Sequence, residues 1–515
     1  MSEGVYALEM LRGNRGFSAE QKGMCAALQL KNGRVHALLG DCGAGKSAVA
    51  DALCGLHPEK GARIMLQGRE KRLRSPAAAR ASGIALVRLR TQIAPSMTVM
   101  QHILLGAGRG VPGPMRRKKA RRRIEALMEQ YDLTVDLKAR IGAVSAGMRE
   151  EASVLRVLYR DSDIVVFDEP AADLTPQEAD RMFRCMRKMA AAGKAVLFTT
   201  RKPEEAMSAA DDCTVLRDGM LMKAVPVPET DAEALYRLMT GQDRQPLPEK
   251  KEIAAGSVVL EVRDASVRRG KRRGQPVKSV SLEARAGEIL CVAGQRGSGL
   301  TTLADALAGV IPLSGGRIRL NGENITALDA LERAEEGVGY LPWRDHGLAA
   351  GLSMTENMMM KRTGDPAVQD SGWIRGRNAR ALTWQWLDHY RLSDADGPAS
   401  SPRCMSRGQR QRAVLGREMD RGTQVLLATL PLTGLNETER RDMISLLMAV
   451  RESRRAVILF TTDAEEAMAL GDRIVVLRGG EIVGEFHPEA ASAREVGLYM
   501  TGDRRQGMED YFDEE

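Results

Sequence analysis

One eight-residue stretch has the residue types that hold the phosphates of a nucleotide. Residues 40–47 have the sequence GDCGAGKS and fit the pattern G-x-x-x-x-G-K-[ST]. In such a loop, glycine N–H groups surround a phosphate at a helix N-terminus, the lysine ammonium reaches the β- and γ-phosphates, and the hydroxyl ligates Mg²⁺. We therefore predict ATP and Mg²⁺ as cofactors, with these nucleotide-binding residues: Gly40, Asp41, Cys42, Gly43, Ala44, Gly45, Lys46 and Ser47.

A second, altered version of this loop occurs later in the chain. Residues 294–301 have the sequence GQRGSGLT, with Leu300 where the lysine belongs. A charge-assisted hydrogen bond contributes roughly 1.5–3 kcal/mol, so its loss weakens phosphate binding by about tenfold or more. We expect Lys46→Ala to abolish ATP binding and the activity that depends on it, and Leu300→Ala to change little. The second loop is either a damaged site or only a strand-to-helix turn that the fold needs.

Two carboxylates follow a strongly apolar segment in the first half of the chain. Residues 164–170 have the sequence IVVFDEP, which places Asp168 and Glu169 at the end of a buried strand. Asp168 is suited to the magnesium shell and Glu169 to the activation of a water molecule. In the second half, Thr429 and Leu430 stand at these positions. We therefore predict hydrolysis in the first half only, with Glu169 as a catalytic residue.

The elements that must position these residues occur twice in the same order. Matches with nearly constant offsets join Gly40 to Gly294, Ser145 to Ser406 and Thr200 to Thr462. In each copy, strand-like apolar runs alternate with helical patterns, which is typical of α/β layers around a mainly parallel sheet. The predicted organisation is a first nucleotide-binding domain at 1–241, a polar linker at 242–256, a second domain at 257–507 and an acidic tail at 508–515.

The composition of the 515-residue chain argues against several classes of protein. Its 43% hydrophobic residues form no uninterrupted apolar stretch of about 18 residues, and the N-terminus has no basic-then-apolar signal pattern. Seven cysteines without a C-x-x-C pair indicate reduced thiols. The net charge of +8 is spread over a chain with 68 acidic residues, so no nucleic-acid partner is expected. We interpret the basic run at 116–123 as the solvated face of a helix.

Two further segments carry a family resemblance. Residues 144–148 (VSAGM) and 405–409 (MSRGQ) lie at corresponding places, each before a helical pattern. With the loops and the strand-end carboxylates, they resemble the ATP-binding cassette (ABC) family, whose signature is LSGGQ. The resemblance covers almost the whole chain. An intact first copy and a degenerate second copy resemble the ATPase subunit of bacterial sugar and nucleoside importers, and residues 144–178 are most similar to the nucleoside (basic membrane protein) branch.

The resemblance implies a fold, a composite site and partners. The fold is two tandem cassettes, each with a mainly parallel P-loop sheet, an antiparallel β portion and a helical subdomain. In the family, each ATP lies between the phosphate loop of one cassette and the signature of the other, which implies that Ser406, Gly408 and Gln409 also bind the ATP held by Lys46. The implied partners are two membrane permease subunits and an extracytoplasmic solute-binding protein or lipoprotein. The implied location is peripheral, at the cytoplasmic face of the plasma membrane.

The chain departs from the family pattern at positions that bear on turnover. Leu89 stands where a glutamine normally contacts magnesium and the lytic water, and Arg201 stands in place of the switch histidine, with Asp463 matched to it in the second copy. Arginine can contact a γ-phosphate but does not relay a proton, so we predict a catalytic role for Arg201 with slow turnover. Phe17 is predicted to stack on adenine; an ordinary core phenylalanine is the alternative.

Two other functions fit parts of the pattern. One is a soluble tandem cassette that acts on ribosomes, a class similar in length that usually has two intact sites and a long charged helical linker. The other is a cassette that binds nucleotide without hydrolysing it, which Leu89 and Arg201 would favour. The short linker at 242–256 argues against the first of these.

Overall fold

The chain forms two compact units, Met1–Gln245 and Pro246–Glu515, in a computed structural model. The structure describes residues 6–11, 27–58, 62–88, 94–106, 114–142, 144, 146–172, 174–244, 248, 250–268, 275–343, 347–362, 365–392, 397–419 and 422–502. Phe17, Leu89, Ser145 and the predicted acidic tail lie outside these residues. Each unit is described by itself.

The first unit contains two sheets. The larger has the order β10-β9-β3-β8-β7-β6, and its strands are parallel except for the β9–β10 hairpin; the smaller, β2-β1-β4-β5, is antiparallel. The strands are β1 Leu8–Leu11, β2 Leu28–Leu30, β3 Val35–Leu39, β4 Arg63–Leu66, β5 Arg69–Lys71, β6 Ile84–Arg88, β7 Ile164–Asp168, β8 Ala195–Thr200, β9 Asp212–Arg217 and β10 Met220–Pro226. The helices are α1 Lys46–Leu53, α2 Pro76–Ala81, α3 Val99–Leu104, α4 Pro114–Tyr131, α5 Ala146–Tyr159, α6 Pro176–Ala191, α7 Pro203–Ala209 and α8 Ala232–Thr240.

The second unit repeats this plan. Its larger sheet has the order β16-β19-β20-β13-β21-β22 and its smaller sheet the order β12-β11-β14-β15, with a short β17–β18 hairpin in addition. The strands are β11 Val258–Val267, β12 Val277–Arg285, β13 Ile289–Ala293, β14 Gly315–Leu320, β15 Glu323–Asn324, β16 Val338–Leu341, β17 Gln369–Asp370, β18 Trp373–Ile374, β19 Val425–Thr429, β20 Ala456–Thr461, β21 Arg473–Arg478 and β22 Glu481–Phe486. The helices are α9 Leu300–Leu307, α10 Ala330–Glu336, α11 Met354–Met359, α12 Gly376–His389, α13 Arg407–Met419, α14 Glu437–Glu452, α15 Ala464–Leu470 and α16 Ala493–Thr501.

Burial on both faces explains why the central strands are mostly apolar. All residues of β3, β7, β8, β13, β19 and β20 are buried, as parallel strands covered by helices must be. The predicted α/β class is thereby confirmed, including the antiparallel portion. The helix-rich middle of each unit lies between the phosphate loop and the strand that follows the signature segment, and consists of α3–α5 in the first unit and α11–α13 in the second.

Strand register corrects one match between the copies. In the first unit Asp168 pairs with Thr199, and in the second Thr429 pairs with Phe460. Residues of β19 and β20 therefore correspond to residues of β7 and β8 with numbers lower by 261. Thr200 therefore corresponds to Thr461, whose hydroxyl likewise accepts the N–H two residues on. The match of Thr200 with Thr462 was wrong by one residue, because it aligned the identical letters FTT of the two strands, whereas strand pairing places Phe460 where Thr199 lies.

The corrected register changes which residue of the second unit corresponds to Arg201. Its equivalent is Thr462, whereas Asp463 corresponds to Lys202 at the N-terminus of the next helix. The Asp463 carboxylate accepts the N–H groups of Glu465 and Glu466 and so caps α15. We therefore withdraw the assignment of Asp463 to the switch position and regard it as a helix cap.

The basic run at 116–123 belongs to an amphipathic helix. In α4, Ala120, Ile124 and Tyr131 are buried, whereas Lys118 and Lys119 are exposed. This pattern agrees with the interpretation of a solvated face. Among the residues that the structure describes, no helix is both long enough and apolar enough to cross a membrane.

A buried histidine in β3 makes the stability of the first unit depend on pH. Burial lowers the pKa of His36 to about 4, and its Nε2 lies 2.8 Å from Thr214 Oγ1. In the unfolded chain the pKa returns to about 6.5, so the unfolded state binds more protons between pH 6.5 and 4. Stability is complete above pH 6.5 and falls as the pH is lowered, by about 2 kcal/mol at pH 5.

Substitution of His36 isolates this effect. We expect His36→Asn to reduce the difference in the free energy of unfolding between pH 7 and pH 5 by about 2 kcal/mol. Urea unfolding of the full chain, followed by circular dichroism at both pH values, measures the difference. The exposed His57, substituted in the same way, is the control. An unchanged pH dependence in His36→Asn would contradict the assignment.

Candidate functional site

The first phosphate loop joins β3 to α1 and has the backbone that its glycines allow. Gly43 and Gly45 have positive φ angles of 80° and 101°. A Cβ on Gly40 would lie 2.5 Å from the carbonyl oxygen of Leu216, so this position admits only glycine. The loop therefore has the open backbone that the sequence pattern predicts.

Lys46 begins α1 and lies folded against the loop. Its ammonium donates hydrogen bonds to the carbonyl oxygens of Gly40 at 2.8 Å and Asp41 at 2.9 Å. The side chain is only 4% exposed, and this burial lowers the pKa of Lys46, an effect opposed by the nearby Glu169. A charge held this close to the loop is available to a phosphate without leaving the pocket.

The two strand-end carboxylates lie beside the loop. Asp168 Oδ1 accepts hydrogen bonds from Ser47 Oγ at 3.1 Å and Thr199 Oγ1 at 3.0 Å. Glu169 Oε1 lies 3.5 Å from Lys46 Nζ and 3.8 Å from Arg201 Nε. The structure thus brings five sequence-predicted site residues together in one pocket of the first unit: Lys46, Ser47, Asp168, Glu169 and Arg201.

Glu169 follows the buried strand in an unusual backbone conformation. Its φ angle is 49°, and its N–H donates to Thr199 Oγ1 at 2.9 Å. Leu430, at the same position in the second unit, has a φ angle of 50°. Because both units share this conformation, it belongs to the fold, and the carboxylate is what the first unit adds.

Arg88 is a member of this site that sequence reasoning missed. It ends β6, and its Nε donates to Asp168 Oδ2 at 2.9 Å while its Nη2 donates to Asp51 Oδ1 at 2.5 Å. The sequence alone gave no signal for these contacts, because Asp51 and Asp168 are 37 and 80 residues away. The pairing of β6 with β7 sets Arg88 opposite Asp168, and α1 supplies Asp51.

The second phosphate loop keeps the turn but lacks the lysine, and the strand end beside it lacks the two carboxylates. Gly297 and Gly299 have positive φ angles, as in the first loop. Leu300, which replaces the lysine, is 4% exposed and packs in the hydrophobic core of the second unit. Thr429 and Leu430 are buried as well. The geometry agrees with the interpretation of this loop as a turn that the fold needs.

The signature segment of the second unit caps α13. Ser406 Oγ accepts the N–H of Gln409 at 3.1 Å, and Gln409 Oε1 accepts the N–H of Ser406 at 2.8 Å. Ser406 Oγ also donates to the carboxylate of Glu439 in α14. A Cβ on Gly408 would lie 2.3 Å from Glu439 Cδ, so the glycine makes room for this side chain.

The same arrangement occurs in the first unit. A Cβ on Gly147 would lie 2.3 Å from Glu178 Oε1, and Glu178 forms a capping box with Thr175 at the start of α6. Sequence reasoning missed both Glu178 and Glu439 as supports of the signature segments. Their signal was present in the capping patterns TPQE and NETE, which place a glutamate in the first turn of the next long helix.

Comparison with known proteins identifies the family to which this geometry belongs. A family model described as ABC transporter matches residues 25–172 and 277–429, which include both phosphate loops and both strand ends. The chain belongs to the ABC transporter family. It is an ATP-binding ABC ATPase, in agreement with the resemblance of its sequence motifs.

Two curated ABC relatives are similar over nearly their whole length. The guanosine import ATP-binding protein NupO of Bacillus subtilis (strain 168) is 31% identical over 500 residues, which cover 96% of this chain and 98% of NupO. The nucleoside import ATP-binding protein NupA of Lactococcus lactis subsp. cremoris (strain MG1363) is 31% identical, with 92% of this chain and 94% of NupA covered.

A solved structure with two ABC cassettes has the same fold. The RNase-L Inhibitor covers 89% of this chain and 87% of its own, with a TM-score of 0.55 and 16% identity. At this identity the likeness concerns the fold alone. It therefore does not distinguish between the importer and the alternative functions.

The ABC signature glycine of the second unit offers a test of this packing. We expect Gly408→Ala to lower the stability of the second unit by about 1 kcal/mol or more, because its methyl group displaces the Glu439 carboxylate, which accepts the N–H of Asn436 at the start of α14. All four tryptophans lie in this unit, so urea unfolding followed by tryptophan fluorescence measures the change.

A matched glycine provides the control. A Cβ on Gly351 meets no atom within 4 Å, so Gly351→Ala is expected to be close to neutral. Removal of the displaced side chain in the double variant Gly408→Ala/Glu439→Ala should cost less than the sum of the single changes. Equal stability of Gly408→Ala and the parent chain would contradict the assigned packing.

Proposed function

We propose that this chain is the ATP-hydrolysing subunit of a bacterial ABC importer for nucleosides, with simple sugars as the alternative solutes. One observation carries the proposal of a single competent site. Lys46, Asp168 and Glu169 lie together in the first unit. The equivalent positions of the second unit hold Leu300, Thr429 and Leu430. The solute class rests on the relatives NupO and NupA, which are named for guanosine and nucleoside import.

The donor set of the first unit fits Mg²⁺. Ser47 Oγ and Asp168 Oδ1 are oxygen donors 3.1 Å apart, and oxygen ligands are those that Mg²⁺ prefers. When bound, Mg²⁺ would neutralise the negative charge that develops on the phosphates. Ser47 would hold it directly and Asp168 would orient its shell.

The protein groups around this position have separable roles in hydrolysis. The Lys46 ammonium exchanges the carbonyl oxygens of Gly40 and Asp41 for phosphate oxygens. Glu169 orients a water molecule and accepts its proton as the water attacks the γ-phosphate. The planar guanidinium of Arg201, close to Glu169, binds a phosphate oxygen but takes no proton.

Two further contacts with ATP are proposed from the family arrangement. Ser406, Gly408 and Gln409 would bind the γ-phosphate through the N-terminus of α13 and the Ser406 hydroxyl. Phe17 would stack on the adenine. Both contacts remain predictions.

The proposed assembly is an importer in which the chain works with two kinds of partner. Two membrane permease subunits receive the conformational change, and an extracytoplasmic solute-binding protein or lipoprotein delivers the solute. The chain is peripheral, at the cytoplasmic face of the plasma membrane. Solute choice then belongs to the permease and the binding protein.

Reconstitution tests the proposal. The chain is combined in proteoliposomes with the membrane subunits and the solute-binding protein encoded beside it, and ATP-dependent uptake of labelled guanosine and ribose is measured. Nucleoside uptake that Lys46→Ala abolishes is the expected result. Uptake of ribose alone would transfer the assignment to sugars. Co-sedimentation with ribosomes and no membrane association would contradict the proposal.

A further inference from the structure

The guanidinium of Arg88 joins two carboxylates beneath the first phosphate loop. It contacts Asp168 at 2.9 Å through Nε and Asp51 at 2.5 Å through Nη2. The Asp168 side chain is 7% exposed and that of Asp51 16% exposed, so these ion pairs are screened far less than surface pairs. Arg88 therefore holds a fixed positive charge beside Asp168, the carboxylate that is proposed to lie near Mg²⁺.

The ionised groups around the loop form two sets, with equal numbers of bases and acids in total. Arg88 pairs with Asp51 and Asp168, while Glu169 lies near both Lys46 and Arg201. The three bases are Lys46, Arg88 and Arg201, and the three acids are Asp51, Asp168 and Glu169. Arg88 therefore offsets one of the two negative charges that it contacts.

The second unit provides an internal comparison. Asp305 occupies in α9 the place that Asp51 occupies in α1, and it accepts a hydrogen bond from the Tyr340 hydroxyl at 2.5 Å. Thr429 replaces Asp168 there, and Pro342 follows β16 where Arg88 ends β6. A single carboxylate is thus paired with a neutral phenol, and the arginine occurs in the unit that has the second carboxylate.

We propose that Arg88 substitutes in part for the divalent cation, so that ATP binding at loop 40–47 depends only weakly on Mg²⁺. Without Arg88, Asp51 and Asp168 would repel the triphosphate unless a metal ion screened them. With Arg88 in place, part of this repulsion is cancelled before the metal arrives, and the metal adds less to binding. The inference rests on the proposed function, because it assumes that this loop binds ATP.

Nucleotide binding with and without metal tests the proposal. Dissociation constants of a fluorescent ATP analogue (mant-ATP) are measured in Mg²⁺ and in EDTA for the full chain and its variants. In the parent chain we expect the two constants to differ by less than about tenfold. Arg88→Met should increase that ratio by roughly tenfold or more through weaker binding in EDTA, since a charge-assisted contact is lost. Binding in Mg²⁺ should change little.

A second variant separates electrostatics from structural support. Asp51→Asn removes a carboxylate and leaves Arg88 on Asp168, so it should bind the analogue in EDTA as tightly as the parent chain or more tightly. Melting curves of both variants show whether they are folded. Equal weakening by Arg88→Met in both conditions, or similar weakening by both variants, would overturn the inference. Failure of the parent chain to bind the analogue in either condition would instead contradict the proposed function.

Discussion

Replacement of Lys46 with alanine is expected to weaken ATP binding by roughly 10- to 150-fold. The ammonium lies against the loop carbonyls of Gly40 and Asp41 and is the loop's only side-chain cation, so its removal leaves the loop itself with no positive charge for the phosphates. Titration of the purified chain with mant-ATP in Mg²⁺ measures the loss, and a melting curve shows whether the variant is folded.

The structure changes the choice of control for this experiment. Leu300→Ala was expected to change little, but Leu300 is buried in the core of the second unit, where truncation to alanine costs about 2–5 kcal/mol of stability. Leu300→Met keeps the volume and the apolar contacts, so it is the better control. We expect it to bind ATP like the parent chain. Equal loss of binding in Lys46→Ala and Leu300→Met would contradict the asymmetry of the two loops.

Replacement of Glu169 with glutamine is expected to lower ATP hydrolysis by about 10²- to 10⁴-fold while ATP binding is retained. The amide keeps the size of the side chain but cannot accept a proton from water. Removal of a negative charge 3.5 Å from Lys46 also leaves that ammonium freer to bind phosphate. Phosphate release by the reconstituted complex and ATP binding by the isolated chain measure the two effects separately.

The matched control lies at the equivalent strand end. Leu430 shares the backbone conformation of Glu169 but is buried and apolar, so Leu430→Met should leave hydrolysis unchanged. Hydrolysis by Glu169→Gln at a rate within a few-fold of the parent rate would exclude Glu169 as the base. Absence of hydrolysis in the parent complex at saturating ATP would favour the cassette that only binds nucleotide.

The fold and the centre of the site were predictable because their signals are local in sequence. Residues 164–167 are all apolar and the run before Gly40 is interrupted only by His36, as is typical of strands covered on both faces. The glycine spacing of the loop specifies its backbone, and Lys46 and Ser47 follow it directly. The duplication then extended these predictions to the second unit.

The features that were not predictable depend on contacts between distant segments. Arg88 meets Asp51 and Asp168 only because of strand pairing, and nothing in the neighbouring residues indicates its role. The glutamate that crowds Gly408 comes from the following helix. The equivalence of Thr200 and Thr461 depends on which backbone groups pair across the sheet. Patterns along the chain indicate the helix cap that Glu439 forms, but not which distant segments these residues contact.

The number of ATP molecules bound per chain tests the central claim most directly. Equilibrium dialysis with radiolabelled ATP in Mg²⁺ is performed on the parent chain, Lys46→Ala and Leu300→Met. A single competent loop predicts binding that saturates at one ATP per chain in the parent and in Leu300→Met, and only a small fraction of one ATP in Lys46→Ala at free concentrations near the dissociation constant of the parent. Two molecules per parent chain, or one that persists in Lys46→Ala, would contradict it.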